Sequence, residues 1–339
     1  MTALLILAGV VVVSIVHLSV FIWIGGMLAQ APRATWGRAV FAALALLVAS
    51  LVLKIMEVAT LAAFPKARFF EVALVACCGL IAQVCLTWLI LRKTQQTSVG
   101  GTWLVWGITF MSSVVMLAAV SLVVRPYLIE GFMSPSNAMC PALLGNHRVG
   151  RCPHCSQSMV ISASELREKR GEQQSEQDGI CINCLKSGTL NEYSQIDGPP
   201  DRFFVDKTAS PQRWDIIAYY RPQREAELSQ GEPPIKYVHR LVGLPGESLV
   251  IKEGSVWIDG EKLAMPAELT GLEYVSTEAF EELGTPDNPL VLNNDQYCVL
   301  GDFSKRSLDS RIFGPVPKEN LIGVVTIRYW PLARFRIWK

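Results

Sequence analysis

Charged side chains are scarce in this 339-residue chain. Asp, Glu, Lys and Arg together make up 18%, against about a quarter in ordinary soluble domains. Histidine is rarer still, with four residues. The net charge is +1, so no basic excess is available to hold a phosphate backbone, and a nucleic-acid partner is not expected. The start, "MTALLIL", lacks the basic segment that opens a secretory signal. The apolar run it begins is also too long for a cleaved signal, which predicts a retained helix. No repeat or broken-helix pattern of the transporter kind is visible.

Hydrophobic residues, by contrast, make up 50% of the chain, and they crowd into the first 124 positions. Four apolar runs, about 3–28, 39–64, 70–92 and 103–124, are each long enough to cross a hydrocarbon layer roughly 30 Å thick. Only a helix satisfies its own backbone there, so four transmembrane helices are expected. Arg33, Arg38, Arg92 and Lys93 follow the first and third runs, and Lys66 and Arg68 follow the second. Placing the more basic loops inside puts everything after residue 125 outside the cytoplasm.

Past residue 125 the texture changes to short runs rich in β-branched and aromatic residues: "RFFVDK", "WDIIAYY", "YVHRLVGL", "SLVIKEGSVWIDG", "QYCVLGD" and "LIGVVTIRYW". Turn chemistry separates them, which predicts a mainly-β domain. The helical-looking pieces are 163–176 and 276–283.

Of nine cysteines, Cys77, Cys78 and Cys85 lie in an apolar run and read as small hydrophobes. Cys152, Cys155, Cys181 and Cys184 form C-x2-C-x25-C-x2-C. Two such knuckles bring four thiolates around a tetrahedral Zn²⁺, the zinc-ribbon pattern. Two disulfides remain the alternative outside the cytoplasm. Four cysteines would close the coordination sphere, so the metal would be structural, and no cofactor is expected for catalysis.

Four blocks then carry a resemblance. "MSPSNAMCPALL" resembles S-x-S-M-x-P-T-L just beyond a transmembrane helix. "DRFFVDK" with "PQRWDIIAYYRP" resembles the strands that follow. "YVHRLVGLPGE" resembles K-R-x-x-G-x-P-G-D/E, and "GDFSKRSLDSRIFGPVP" resembles G-D-N-x-x-x-S-x-D-S-R-x-(aromatic)-G-x-V. In this order they resemble type I signal peptidases, the membrane-anchored serine endopeptidases that remove signal peptides from exported proteins. Behind the four-helix anchor that the apolar runs predict over 1–124, the resemblance implies a mainly-β signal-peptidase-type domain over 125–145 and 201–339. A small β subdomain would cover about 255–295, and the zinc-ribbon-like module would be inserted over 146–200.

The resemblance also assigns roles. His239 takes the place of the family's lysine base, as in the endoplasmic-reticulum members. A histidine base is ready near neutral pH and gains from an orienting carboxylate, for which Asp309 is the candidate. Ser307 matches the serine that contacts the base. The family's attacking serine falls on Ala138, within a substrate and oxyanion region that includes Met139 and Pro141. Three readings stay open. Ser136 attacks, helped by a local bulge; Cys140, which alternation puts on the same strand face, attacks instead; or the protein no longer cuts and binds signal peptides or partner proteins. Expected partners are signal peptides of exported preproteins, the lipid bilayer and a protein docked at the ribbon. The expected location is the bacterial cytoplasmic membrane, multi-pass, with the β domain extracytoplasmic.

Overall fold

The computed structural model describes residues 2–63, 69–163, 177–190, 192–223, 231, 233–275 and 283–338. The helical stretches expected at 163–176 and 276–283 lie almost wholly outside them, as does the loop bearing Lys66 and Arg68. The chain divides into two compact units, Met1–Leu122 and Val123–Lys339.

The first unit holds α1 (Thr2–Leu28), α2 (Trp36–Ala63), α3 (Phe69–Gln95) and α4 (Val99–Ala119). Its core is Ile22, Ala39, Ala42, Ala43, Leu46, Leu91 and Val105. The three alanines on α2 let backbones approach closely, as helices in an apolar solvent require. Among the described residues three segments are long and apolar enough to cross a membrane: Trp36–Met56, Cys77–Gln95 and Val99–Leu128. Beyond α4 the winding loosens to π-type over Val120–Leu128, around Pro126, which has no N–H to give to an α-helical ladder.

The second unit is built on three antiparallel sheets. In the largest, spatial order runs Ile129–Met133, Arg202–Asp206, Leu321–Trp330, Ile216–Tyr220, Lys236–Gly243, Gln296–Leu300, Val316–Pro317, with Arg336–Ile337 on the flank of Leu321–Trp330. Its central strands are buried on both faces, so they read as near-continuous apolar runs: Ile216, Ile217, Ala218 and Tyr219 in succession are all 2% exposed or less. A smaller sheet joins Glu261–Lys262, Ser255–Ile258, Ser248–Lys252 and Leu290–Val291. Glu253-Gly254 turns the Ser248–Lys252/Ser255–Ile258 hairpin with both residues at positive φ, the primed-turn geometry that suits strand twist.

The third sheet carries the cysteines: His147–Arg151, Ser158–Ser162, Gln177–Cys181 and Ser187–Leu190. His147 and Gly198 exchange backbone hydrogen bonds at its base, so the module enters and leaves the domain at one place.

Candidate active site

The 131–145 segment starts as a strand, Ile129–Met133, then leaves it. Residues 138–142 form a turn. The strand alternation expected across 136–140 is therefore corrected. Ser136 is exposed, Ala138 half-buried, and Cys140 fully buried. Local chemistry explains the turn. The buried Asn137 side chain accepts from Gly145 N at 2.9 Å and donates to Asn146 O at 2.9 Å, replacing ladder bonds with loop bonds. Gly145 passes so close to Ser136 that a Cβ would sit 2.7 Å from its carbonyl atoms, so only glycine fits there.

Asp201 and two arginines clasp the other end. Asp201 Oδ2 accepts from Leu144 N at 2.8 Å and faces Arg334 at 3.1 Å. Arg334 donates to Pro141 O at 3.0 Å, and Arg328 donates to Ala142 O. Met139 is anchored in a core with Leu143, Phe203, Val205, Ile216, Ala218 and Val325. The loop is thus fixed at both ends, and Ala138 is presented by its backbone. Its carbonyl accepts from Phe303 N at 2.9 Å.

His239 lies on Lys236–Gly243, 3% exposed. Among the described residues its ring makes two hydrogen bonds. Nδ1 meets Tyr219 Oη at 2.6 Å and Nε2 meets Ser307 Oγ at 3.2 Å. Burial pushes the imidazole down to about 4; the Asp309 carboxylate pulls upward and Arg311 adds to the drop. The ring is therefore neutral at pH 7, the form a general base requires. Burial also raises the Tyr219 phenol well above its usual value, keeping it a hydroxyl.

Asp309 does not hydrogen-bond the ring it was expected to orient. Its carboxylate takes Arg311 Nε and a second guanidinium nitrogen, each at 2.8 Å, and Gly301 N at 2.9 Å. Burial works to raise its pKa, but Arg311 outweighs that and holds it below the usual carboxylate range. A buried carboxylate takes the nearest guanidinium, and here that is two residues away. Asp309 acts on His239 through space and fixes the 301–311 segment; the group at Nδ1 is Tyr219.

Ala138 belongs to the same cluster. A Cβ on Gly301 would lie 2.1 Å from Ser307 Oγ and 2.8 Å from Ala138 O, so the Ala138 backbone and the base-contacting serine flank one glycine. Among the described residues the Ser136 hydroxyl accepts from Ala138 N, at 3.5 Å, and does not bond His239. Burial raises the Cys140 thiol well above its ordinary value, and a buried thiol is a poor nucleophile. Among the described residues neither Ser136 nor Cys140 hydrogen-bonds the base, whereas Ser307 bonds His239 and meets the Ala138 carbonyl across Gly301.

Residues 187–330 match the family model described as "Signal peptidase, peptidase S26". Over these residues the chain carries a signal peptidase domain of the S26 type. A probable signal peptidase I-2 of Synechocystis is 29% identical over 154 residues, 44% of this chain and 63% of its own. A signal peptidase I of Leptolyngbya laminosa is 31% identical over 140 residues, 40% of this chain and 62% of its own. The chain thus spans about three fifths of the length of these relatives. A solved signal peptidase I from Enterococcus faecalis is 28% identical, matching 35% of this chain and 98% of its own at a TM-score of 0.27. The family match begins at Ser187, so it takes in His239, Ser307 and Asp309 and leaves out the loop with Ser136 and Ala138.

The cysteine cluster is a second candidate site. The Sγ atoms of Cys152, Cys155, Cys181 and Cys184 lie within 4.8 Å of one another. Cys152–Cys184 and Cys155–Cys181 are 3.8 and 3.4 Å apart; a zinc tetrathiolate with bonds of about 2.3 Å has edges of about 3.8 Å. The two knuckles repeat each other. His154 N points at Cys152 Sγ and Asn183 N at Cys181 Sγ, each at 3.4 Å. Ser156 and Leu185, each next after the second cysteine, take φ of 60° and 62°. The donor set fits a four-thiolate metal site.

Tyr219, Asp201, Arg328 and Arg334 escape sequence reading. Tyr219 looks like any strand aromatic in "DIIAYY". The arginines carry a faint signal, charged residues in the otherwise apolar "IRYW" and in "ARFR".

Proposed function

We propose that this chain is a multi-pass, signal peptidase I-like protein of the bacterial cytoplasmic membrane. It receives signal peptides of exported preproteins at an extracytoplasmic β domain and cuts them very slowly or not at all. One observation carries the reading: across Gly301 from Ser307, the serine that bonds His239, stands Ala138, whose side chain has no atom that attacks. A base without a nucleophile retains little rate, because such residues act as a unit. The four cysteines are read as a structural zinc site that supplies a cross-link and no catalytic step.

In this reading His239 is the preserved proton acceptor. Ser307 sets the ring through Nε2, and Tyr219 sets it through Nδ1. The loop backbone at 138–142 and the 760 Å³ cavity beside Pro141 and Ala142 receive peptide. A second reading, hydrolysis by Ser136 with His239 as base and Asp309 in support, is favoured by the exposure of Ser136 two residues from Ala138.

The test is cleavage of a preprotein by the full chain in detergent. The binding reading expects no turnover in the wild type and turnover at least tenfold above it in Ala138→Ser. Wild-type turnover abolished by Ser136→Ala would replace it with the second reading. An inert Ala138→Ser would remove His239 as the base.

A further inference from the structure

The cysteine module shares its packing with the candidate site. Val160 and Ile180 from its strands and Leu185 from its second knuckle form one apolar core with Cys140 and Leu144 of the Ala138 loop, and with Phe303, Leu269 and Leu272. Phe303 holds the Ala138 carbonyl. A polar link runs parallel: Asp178 of the module faces Arg306, next to Ser307, at 3.7 Å. The module thus bears on 303–307, which reaches His239 through Ser307, and on 138–144, which is tied to that turn at Phe303.

Two features say that this packing depends on the cysteines. The module's own core is Cys152, Met159, Ile161, Cys181 and Leu190, so two of its five buried side chains are thiols of the cluster. A sheet this small has little apolar area to hold it without a cross-link. Leu185 also occupies a left-handed conformation that is unfavourable for a leucine. Asparagine or glycine would suit that backbone better, so leucine is there for what its side chain reaches.

We propose that the four-thiolate metal site is a clamp that positions the Ala138 loop and the 303–307 turn against His239. With a zinc-type ion bound, the knuckle holds Leu185 and Ile180 in the shared core; without it, the core opens and the loop loosens. Leu185, Ile180 and Phe303 are positioning residues. The proposal rests on the metal reading above and is independent of whether the chain cleaves peptides.

Cysteine alkylation of the full chain in detergent, mapped residue by residue by mass spectrometry, tests it. Cys140 is fully buried in the shared core and Cys298 is fully buried in a different one, with Val242 and Leu249. With zinc bound, both are expected to be protected. After chelation, Cys140 should react at least tenfold faster along with the four ligands, while Cys298 stays protected. Leu185→Asn keeps every ligand and suits the backbone; it should retain one zinc per chain and still expose Cys140. Cys140 remaining protected in stripped protein, or in zinc-loaded Leu185→Asn, would overturn the clamp. Cys140 and Cys298 opening together would overturn it too, since the metal would then hold the whole domain. A chain that binds no zinc removes the metal reading itself, and none of these outcomes alters the cleavage test.

Discussion

Tyr219 Oη and His239 Nδ1 lie 2.6 Å apart, on adjacent antiparallel strands. The register pairs Ile217 with His239 and Tyr219 with Tyr237, so the two side chains meet diagonally on one face of the sheet. The contact bears on which ring nitrogen can act as the base. For Nε2 to accept a proton, Nδ1 must carry one, and the phenol oxygen is the acceptor it finds. Tyr219→Phe removes that acceptor. In the Ala138→Ser background, turnover should fall by about tenfold or more, while stability drops by only about 1 kcal/mol. Turnover within twofold of the parent would show that Nδ1 needs no partner.

Burial sets the pH response of His239. Its pKa in the folded chain is about 4, against about 6.5 unfolded. Between those values the unfolded chain binds a proton that the folded one refuses, so folding loses stability as pH falls from about 6.5 to about 4. The loss from this residue is roughly 3 kcal/mol. Above about pH 6.5 the residue contributes no slope. Replacing it with an uncharged residue, His239→Gln, should flatten denaturant midpoints across that window. An NMR titration should put the ring's midpoint near 4; a midpoint near 6.5 would mean that the ring is solvated.

Much of this arrangement was legible in the sequence. The alternation of "SLVIKEGSVWIDG" announces its hairpin, and the cysteine spacing announces two knuckles whose sulfurs meet. The blocks around His239 and Ser307 announce their neighbourhood, because a strand and a turn in that family order bring them together. Asp309 sits in its expected block, but the block does not show that Arg311 and Gly301 N take up its carboxylate oxygens, so that neither bonds the ring. The Ala138 loop was misread as a strand because alternation was assumed where Asn137 and Gly145 close a turn with their own hydrogen bonds. Tyr219 was missed because only strand register, a non-local quantity, separates it from the packing aromatics around it.

Arg240 and Asp302 form an enclosed ion pair beside the site, with two contacts of 2.7 and 2.6 Å and side chains only 5% and 0% exposed. Asp302→Ala leaves a buried guanidinium with only the Trp214 carbonyl. The expected cost is about 3–5 kcal/mol, read as a lower denaturant midpoint. Asp302→Asn keeps the shape and one acceptor and should cost less. Equal losses for the two variants would show that packing at this position matters more than charge.

Gly301 gives the sharpest steric test of the site. It follows Gln296–Leu300 and donates its N–H to Asp309 at 2.9 Å, so its backbone is tied to a buried carboxylate and has little freedom to move. An added methyl would meet Ser307 Oγ at 2.1 Å, Ser307 Cβ at 2.5 Å and Ala138 O at 2.8 Å. All three are closer than real contacts allow, and the last is backbone. Overpacking of this kind costs about 1–3 kcal/mol. The strain has two outlets: Ser307 turns off His239 Nε2, or the Ala138 loop moves outward. Both separate Ala138 from the base. Gly301→Ala in the Ala138→Ser background should therefore lose at least tenfold in turnover, with a stability loss of only about 1–3 kcal/mol. The His239 titration should shift in the same variant, because the ring loses its Ser307 partner or gains water. Turnover and titration both unchanged would mean that Ala138, Gly301 and Ser307 are not the wall of one site.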